Sequence, residues 1–185
     1  MPTAPDRTES ELIDGCRRGH APSQEALYRR FWSFAMSVAL RYTPSRDDAL
    51  ELAHDAFLRA FRQLDRFDAD RSFKPWFRTI LVRLAVDRHR STRRYHATIE
   101  PEAEPPESTA EGTPMDALEA ADILRLLRVL PDDHRAVFNL YEIEGYSHDE
   151  IAAMLGIAAG TSRSHLTRAK SRLRDLYHEH NPVSS

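Results

Sequence analysis

Cysteine is nearly missing from this chain: Cys16 is the only one in 185 residues. That excludes an internal disulfide and any zinc site of the multi-cysteine kind. A lone thiol here reads as a small helix residue rather than a redox sensor. Long apolar runs are missing too, and none approaches the roughly 20 residues that a membrane-spanning helix needs. Residues 1–19 are polar and carry Glu9, Glu11 and Asp14, so the apolar core of a secretory signal is not found there. These absences predict a cytoplasmic protein without membrane insertion. A hydrophobic content of 41% with 30% charged residues fits a soluble globular chain, long enough for one ordinary domain or two small ones. Internal repeats and strand-like alternation are absent as well.

A surplus of positive charge is also lacking. The formal net charge of −3 would argue against a nucleic-acid partner, but it conceals a segregation. Residues 1–96 hold 18 basic and 13 acidic side chains, residues 97–124 none and 8, and residues 125–185 hold 8 of each. Within residues 71–94, eight bases face the single acid Asp87. The acid is concentrated in the middle, which leaves both ends able to present basic surfaces.

What is present is helical periodicity in two blocks. Residues 98–113 carry Pro101, Pro105, Pro106 and Gly112 among acidic and hydroxyl residues, with Ile99 the only large apolar side chain. Such a stretch cannot bury enough surface to offset its ordering entropy, and a flexible acidic linker is expected over 97–115. The expected fold is all-α: a helical lobe over 9–96, the linker, and a four-helix lobe over 116–180, with tails at 1–8 and 181–185. In the first lobe, helices are expected over residues 9–19, 24–42, 46–66 and 73–91. Their apolar stripes include Leu27, Phe31, Phe34, Val38 and Tyr42, then Leu50, Ala53, Phe57, Ala60, Phe61 and Leu64. The last stripe is Phe73, Trp76, Phe77, Ile80, Leu81, Leu84 and Ala85. Pro75 is acceptable because it falls in a first turn. Residues 65–72, polar and turn-prone, separate the last two helices.

The second lobe is expected to contain helices over 116–129 and 132–143, the latter with Ala136, Val137, Leu140 and Tyr141 inward. A helix-turn-helix follows. Ser147 and Glu150 stand at capping-box spacing, Ile151, Ala152 and Leu155 form an inward stripe, and Gly156 tolerates the left-handed conformation that ends the helix. The next helix has Leu166, Ala169, Leu173, Leu176 and Tyr177 inward. It carries Arg163, Arg168, Lys170, Arg172 and Arg174 before its first acid, Asp175. A merely solvated helix face mixes signs; a one-sided basic face suits phosphate.

The two lobes together resemble a bacterial sigma factor of the extracytoplasmic-function group, built from regions 2 and 4 alone. The resemblance runs from about Glu9 to Tyr177. Region 2 is echoed in Ala26-Leu27-Tyr28-Arg29-Arg30-Phe31, in residues 48–61, in Phe73-Lys74-Pro75-Trp76-Phe77-Arg78-Thr79-Ile80 and in Leu84-Ala85-Val86-Asp87-Arg88. Region 4 is echoed in Leu130-Pro131 and the helix-turn-helix. The resemblance implies a dissociable subunit of RNA polymerase that binds the core enzyme and promoter DNA, with an anti-sigma protein as a further partner and no cofactor, metal or catalytic residue. It assigns core binding to Asp48, Glu51, His54 and Asp55. It assigns the −10 element to Phe67, Asp68, Arg71, Ser72, Lys74, Arg78, Arg83 and Arg88, where unstacked bases and a displaced strand need stacking faces and a basic track. Trp76 could stack on a base, but its stripe position favours a core role.

The −35 element falls to Arg163, Ser164, Thr167 and Arg168, with Lys170 and Arg172 as phosphate clamps. Ser162 stands where the family usually has an apolar residue such as valine, His165 where it often has a base, and Arg83 where asparagine is common.

Two other readings share parts of this pattern. His54-Asp55 is the dipeptide of metal-dependent HD phosphohydrolases, with His20, His89, His96 and Asp87 as the available further ligands, but no second signature accompanies it. A different helix-turn-helix regulator, with a sensing or dimerising first lobe, would share the helix grammar. It would give no reason for a basic, aromatic helix beside a polar loop.

Overall fold

The computed structural model describes residues 7–68, 71–99 and 120–180. Every regular element among them is helical, as expected. Of the expected linker, residues 100–115 lie outside the described residues, as do the start of the 116–129 helix and the 181–185 tail.

The helices are α1 (Glu9–Arg17), α2 (Ala21–Tyr42), α3 (Arg46–Gln63), α4 (Phe73–Ile99), α5 (Ala120–Val129), α6 (Asp132–Phe138), α7 (His148–Leu155) and α8 (Ala159–His180). A 3-10 turn, Leu64–Arg66, extends α3, and a π-helical turn, Asn139–Ile143, extends α6. Local chemistry sets many of the ends. Thr8 and Glu11 form a reciprocal capping box at the start of α1, and Ser147 and Glu150 form one at the start of α7. Gly156 ends α7 at φ 67°, a left-handed value that a side chain with a Cβ adopts only at a cost. Pro75 sits in the first turn of α4, where its missing N–H deprives no helical carbonyl. That helix runs eight residues past the expected end at 91, since nothing after Ser91 breaks it until Pro101.

The chain forms two compact units, Met1–Ala39 with Asp47–Leu84, and Leu40–Arg46 with Ala85–Ser185. In the first, the stripes of α2, α3 and α4 meet in an aromatic core. Phe57 and Phe77 lie 4.6 Å apart between ring centroids, Phe31 and Phe73 4.8 Å, and Phe73 and Phe77 5.3 Å. Phe57, Phe73, Phe77, Leu27, Leu52 and Leu81 are all buried. Each contributes about 1.5–3 kcal/mol of hydrophobic stabilisation.

In the second unit, α6 and α7 pack on α8. Leu127, Leu130 and Ala169 form a buried cluster, flanked by Phe138 and Leu173. Ile151, Leu155, Leu166 and Leu176 are buried as well. Two tyrosines expected inside are turned out: Tyr177 is 57% and Tyr141 38% exposed. Tyr177 follows the buried Leu176, and a helix turns by about 100° per residue. Tyr141 lies in the π-helical turn, whose wider winding departs from the 3.6-residue stripe used to place it.

Candidate nucleic-acid interface

Three surfaces hold the residues singled out in the sequence. The first is a face of α3. Glu51, His54 and Asp55 are exposed on consecutive turns, with Asp48 half-buried at the helix start. Beside them lies an aromatic shelf from α2. Tyr28 Oη stands 3.0 Å from His54 Nε2, and the Trp32 ring stacks on the imidazole at 5.2 Å. Leu58, one turn beyond His54, is 53% exposed. Sequence reasoning missed Tyr28, Trp32 and Leu58 as part of this face; the signal for Leu58 was its outward spacing from Glu51 and Asp55. His54 is thus engaged by aromatic rings. Among the described residues no group of three or more His, Cys, Asp or Glu side chains could hold a metal ion.

The second surface is the turn between α3 and α4, together with α4 itself. Asp68, Arg71, Ser72 and Lys74 are exposed, Arg83 is exposed further along, and Arg78 and Arg88 are half-buried. Asp68 and Arg71 pair at 3.4 Å. Lys74 Nζ sits 4.8 Å over the Phe34 ring. Phe67 departs from its expected place. It is 4% exposed and its ring is taken up by Trp76, at 4.9 Å, and Phe73, at 5.9 Å, so it offers no face to a base. Burial of its ring on two neighbouring aromatics is worth more than leaving it in water. Trp76 shares that packing but remains half-buried.

The frame of this turn comes from α1, which sequence reasoning left without a role. Arg17 donates from Nε to the Leu64 carbonyl at 3.2 Å and from Nη2 to the Phe67 carbonyl. Glu9 accepts the Phe73 backbone N–H at 2.8 Å and so caps α4. One short helix therefore ties down both sides of the turn. Nothing in the local sequence could reveal bonds that span 47 to 64 positions.

The third surface is the start of α8. The chain leaves α7 through Gly156, whose N–H bonds to the Ala152 carbonyl at 2.9 Å, and enters α8 within three residues. Arg163, Ser164, Thr167 and Arg168 are all exposed on one side of its opening turns. Arg172 follows, also exposed. Lys170 is tethered by Glu142 at 2.6 Å, which offsets its charge toward a phosphate.

His165 points the other way. Its Nε2 is 4.0 Å from Asp133, whose other oxygen lies 2.8 Å from His89 Nε2, and its ring packs on His134 at 5.0 Å. Burial lowers the basicity of His165 and His134, and nearby Arg168 adds to that effect. The Asp133 carboxyl is held below its ordinary range, foremost by His89, whose Nε2 lies 2.8 Å away. Ser162 is fully buried, and its hydroxyl stands 2.9 Å from His148 Nδ1. A polar residue is thus accommodated at a core position because it has a partner.

These surfaces can be set beside known proteins. Residues 27–95 match the family model described as Sigma-70 region 2, and residues 120–173 match Sigma-70, region 4. The ECF RNA polymerase sigma factor SigE of Mycolicibacterium smegmatis is 32% identical over 165 residues, which cover 86% of this chain and 63% of that protein. The chain thus spans under two thirds of that relative. The ECF RNA polymerase sigma-E factor of Escherichia coli is 27% identical over 177 residues, covering 90% of this chain and 92% of that one. In fold, the chain resembles the sigma factor RpoE of Bartonella quintana, solved in complex with the anti-sigma factor NepR. That likeness has a TM-score of 0.52 at 24% identity, over 83% of this chain and 95% of the other.

Proposed function

We propose that this chain, which belongs to the extracytoplasmic-function group of the sigma-70 family, binds core RNA polymerase in the cytoplasm and directs promoter-specific initiation without chemistry of its own. The lobe over 9–96 engages the polymerase and the −10 element, and the lobe over 116–180 reads the −35 element. The observation that carries the reading is the opening of α8: a capped helix and a left-handed glycine deliver Arg163, Ser164, Thr167 and Arg168 to solvent on one face. That is the arrangement by which a recognition helix enters a major groove.

In this account the carboxylates Asp48, Glu51 and Asp55, with His54 and the shelf of Tyr28 and Trp32, meet the core enzyme. Arg71, Lys74, Arg78, Arg83 and Arg88, with Asp68 and Ser72, follow the opened −10 strand. Phe67 supports the turn from inside. Arg163 and Arg168 suit bidentate contacts to guanine, Ser164 and Thr167 make less selective ones, and Arg172 and Lys170 lie along the phosphates. An anti-sigma protein that covers these faces is the expected antagonist.

The test is selection of randomised −35 sequences by holoenzyme carrying each variant. Arg163→Ala and Arg168→Ala are expected to relax the preference at one base each, at about 1–3 kcal/mol. Arg172→Ala is expected to weaken all sequences alike and to lower the salt slope by about one. Wild-type sequence preference in all three, with uniformly lower yield, would contradict base reading by Arg163 and Arg168.

A further inference from the structure

We propose that His148 is a positioning residue for −35 recognition, acting through the buried hydroxyl of Ser162 to set the direction of the opening turn of α8. The inference rests on the reading of α8 as the −35 helix and adds a residue that does not touch DNA.

Ser162 immediately precedes the base-reading group of α8 and is completely buried. A hydroxyl taken out of water needs a partner, and leaving it without one costs more than a typical hydrogen bond gains. Here the partner comes from another helix: His148 Nδ1, 2.9 Å away across 14 positions. The histidine is itself fixed. It is the first residue of α7, directly after the Ser147 cap, and its ring stacks on Tyr141 at 4.5 Å with 21° between planes. The first turns of α7 and α8 are thereby joined at one point by a bond with a preferred direction, which apolar packing alone would not supply.

Loss of the imidazole nitrogen would leave Ser162 the carbonyl of Ala158, which already accepts the Ser162 backbone N–H at 3.0 Å. A serine that bonds back to the carbonyl four residues earlier bends its helix. A bend at this point redirects Arg163, Ser164, Thr167 and Arg168 together. Discrimination at the −35 element should fall more than the fold is weakened, because bidentate base contacts demand close alignment.

The experiment compares full-length variants, each as holoenzyme, on two promoters that share a −10 element. One carries the −35 sequence selected by the wild type, the other a scrambled one, and the initiation ratio is the readout, taken below the melting temperature of every variant. His148→Phe keeps a ring against Tyr141 but removes the polar nitrogen, and is expected to lower the ratio roughly tenfold, equivalent to about 1.4 kcal/mol. His148→Asn, whose amide can reach the place of Nδ1, should restore it. His148→Phe combined with Ser162→Ala should also restore it to within about twofold, since both polar partners are then gone.

A wild-type ratio in His148→Phe with only a lower melting temperature would overturn the proposal. So would a double variant as impaired as His148→Phe alone, because the ring rather than the hydrogen bond would then be responsible. If the wild type itself shows a ratio near one, the reading of α8 fails and this inference falls with it.

Discussion

Gly15 shows how little room a single position can leave. A Cβ built there would stand 2.1 Å from Ser23 Oγ and 2.6 Å from Ser23 Cβ. Ser23 cannot turn aside without loss, because its hydroxyl meets His20 Nδ1 at 2.8 Å and Arg7 Nη1 at 3.3 Å. Alanine in a helix gains about 0.5–1 kcal/mol over glycine, while overpacking costs about 1–3 kcal/mol. Gly15→Ala is therefore expected to destabilise the protein, and a urea unfolding midpoint that rises instead would contradict the packing of α1 on α2. The neighbouring Cys16 is buried, and burial pushes its thiol up to about 11, far from the range of a reactive thiolate. Ser162 is the residue-scale counterpart in the second unit. Its sequence position suggested an apolar neighbourhood, and the finding is a buried hydroxyl made acceptable by one imidazole.

Among the elements, helices were legible where their cause is local. The apolar stripe of α4, the capping box of α7 and the left-handed Gly156 all depend on residues within a few positions of each other, and the structure contains each. The service that α1 renders to the turn before α4 was not legible, since Arg17 and Glu9 act on backbone groups far along the chain. The burial of Phe67 was not legible either, because its partners Phe73 and Trp76 meet it only after the turn has formed.

The packing of α6 against α8 also predicts a pH dependence. Burial holds His134 and His165 below their ordinary 6.5, helped by Arg168 beside both and by Arg93 and His89 beside His165, with Asp133 opposing. The unfolded chain then binds protons that the folded one refuses. Stability from this source is complete above 6.5 and is lost as pH falls through the depressed folded values. Asp133, lowered from 3.8, adds its own loss only in more acid solution. The melting temperature is expected to decline as pH falls below the ordinary 6.5, and less so in His134→Gln with His165→Gln. A flat profile in the wild type would contradict this assignment.

For the molecule as a whole, promoter-directed initiation requires separate surfaces for an enzyme and for DNA. Reversal of charge at Asp48 and Glu51 to lysine should weaken core binding while leaving helicity intact. Charges on a helix surface contribute little to its stability, about 0.3–1 kcal/mol each, so the helix is expected to persist. Circular dichroism and a polymerase pull-down separate the two effects, and an unchanged pull-down would place the core interface elsewhere. The most direct measurement is transcription in vitro on a promoter library, with bacterial core RNA polymerase in the presence and absence of the purified protein. No initiation is expected from the protein alone, and start sites sharing −10 and −35 sequences are expected only when protein and core are combined. Equal initiation with and without the protein would contradict this expectation.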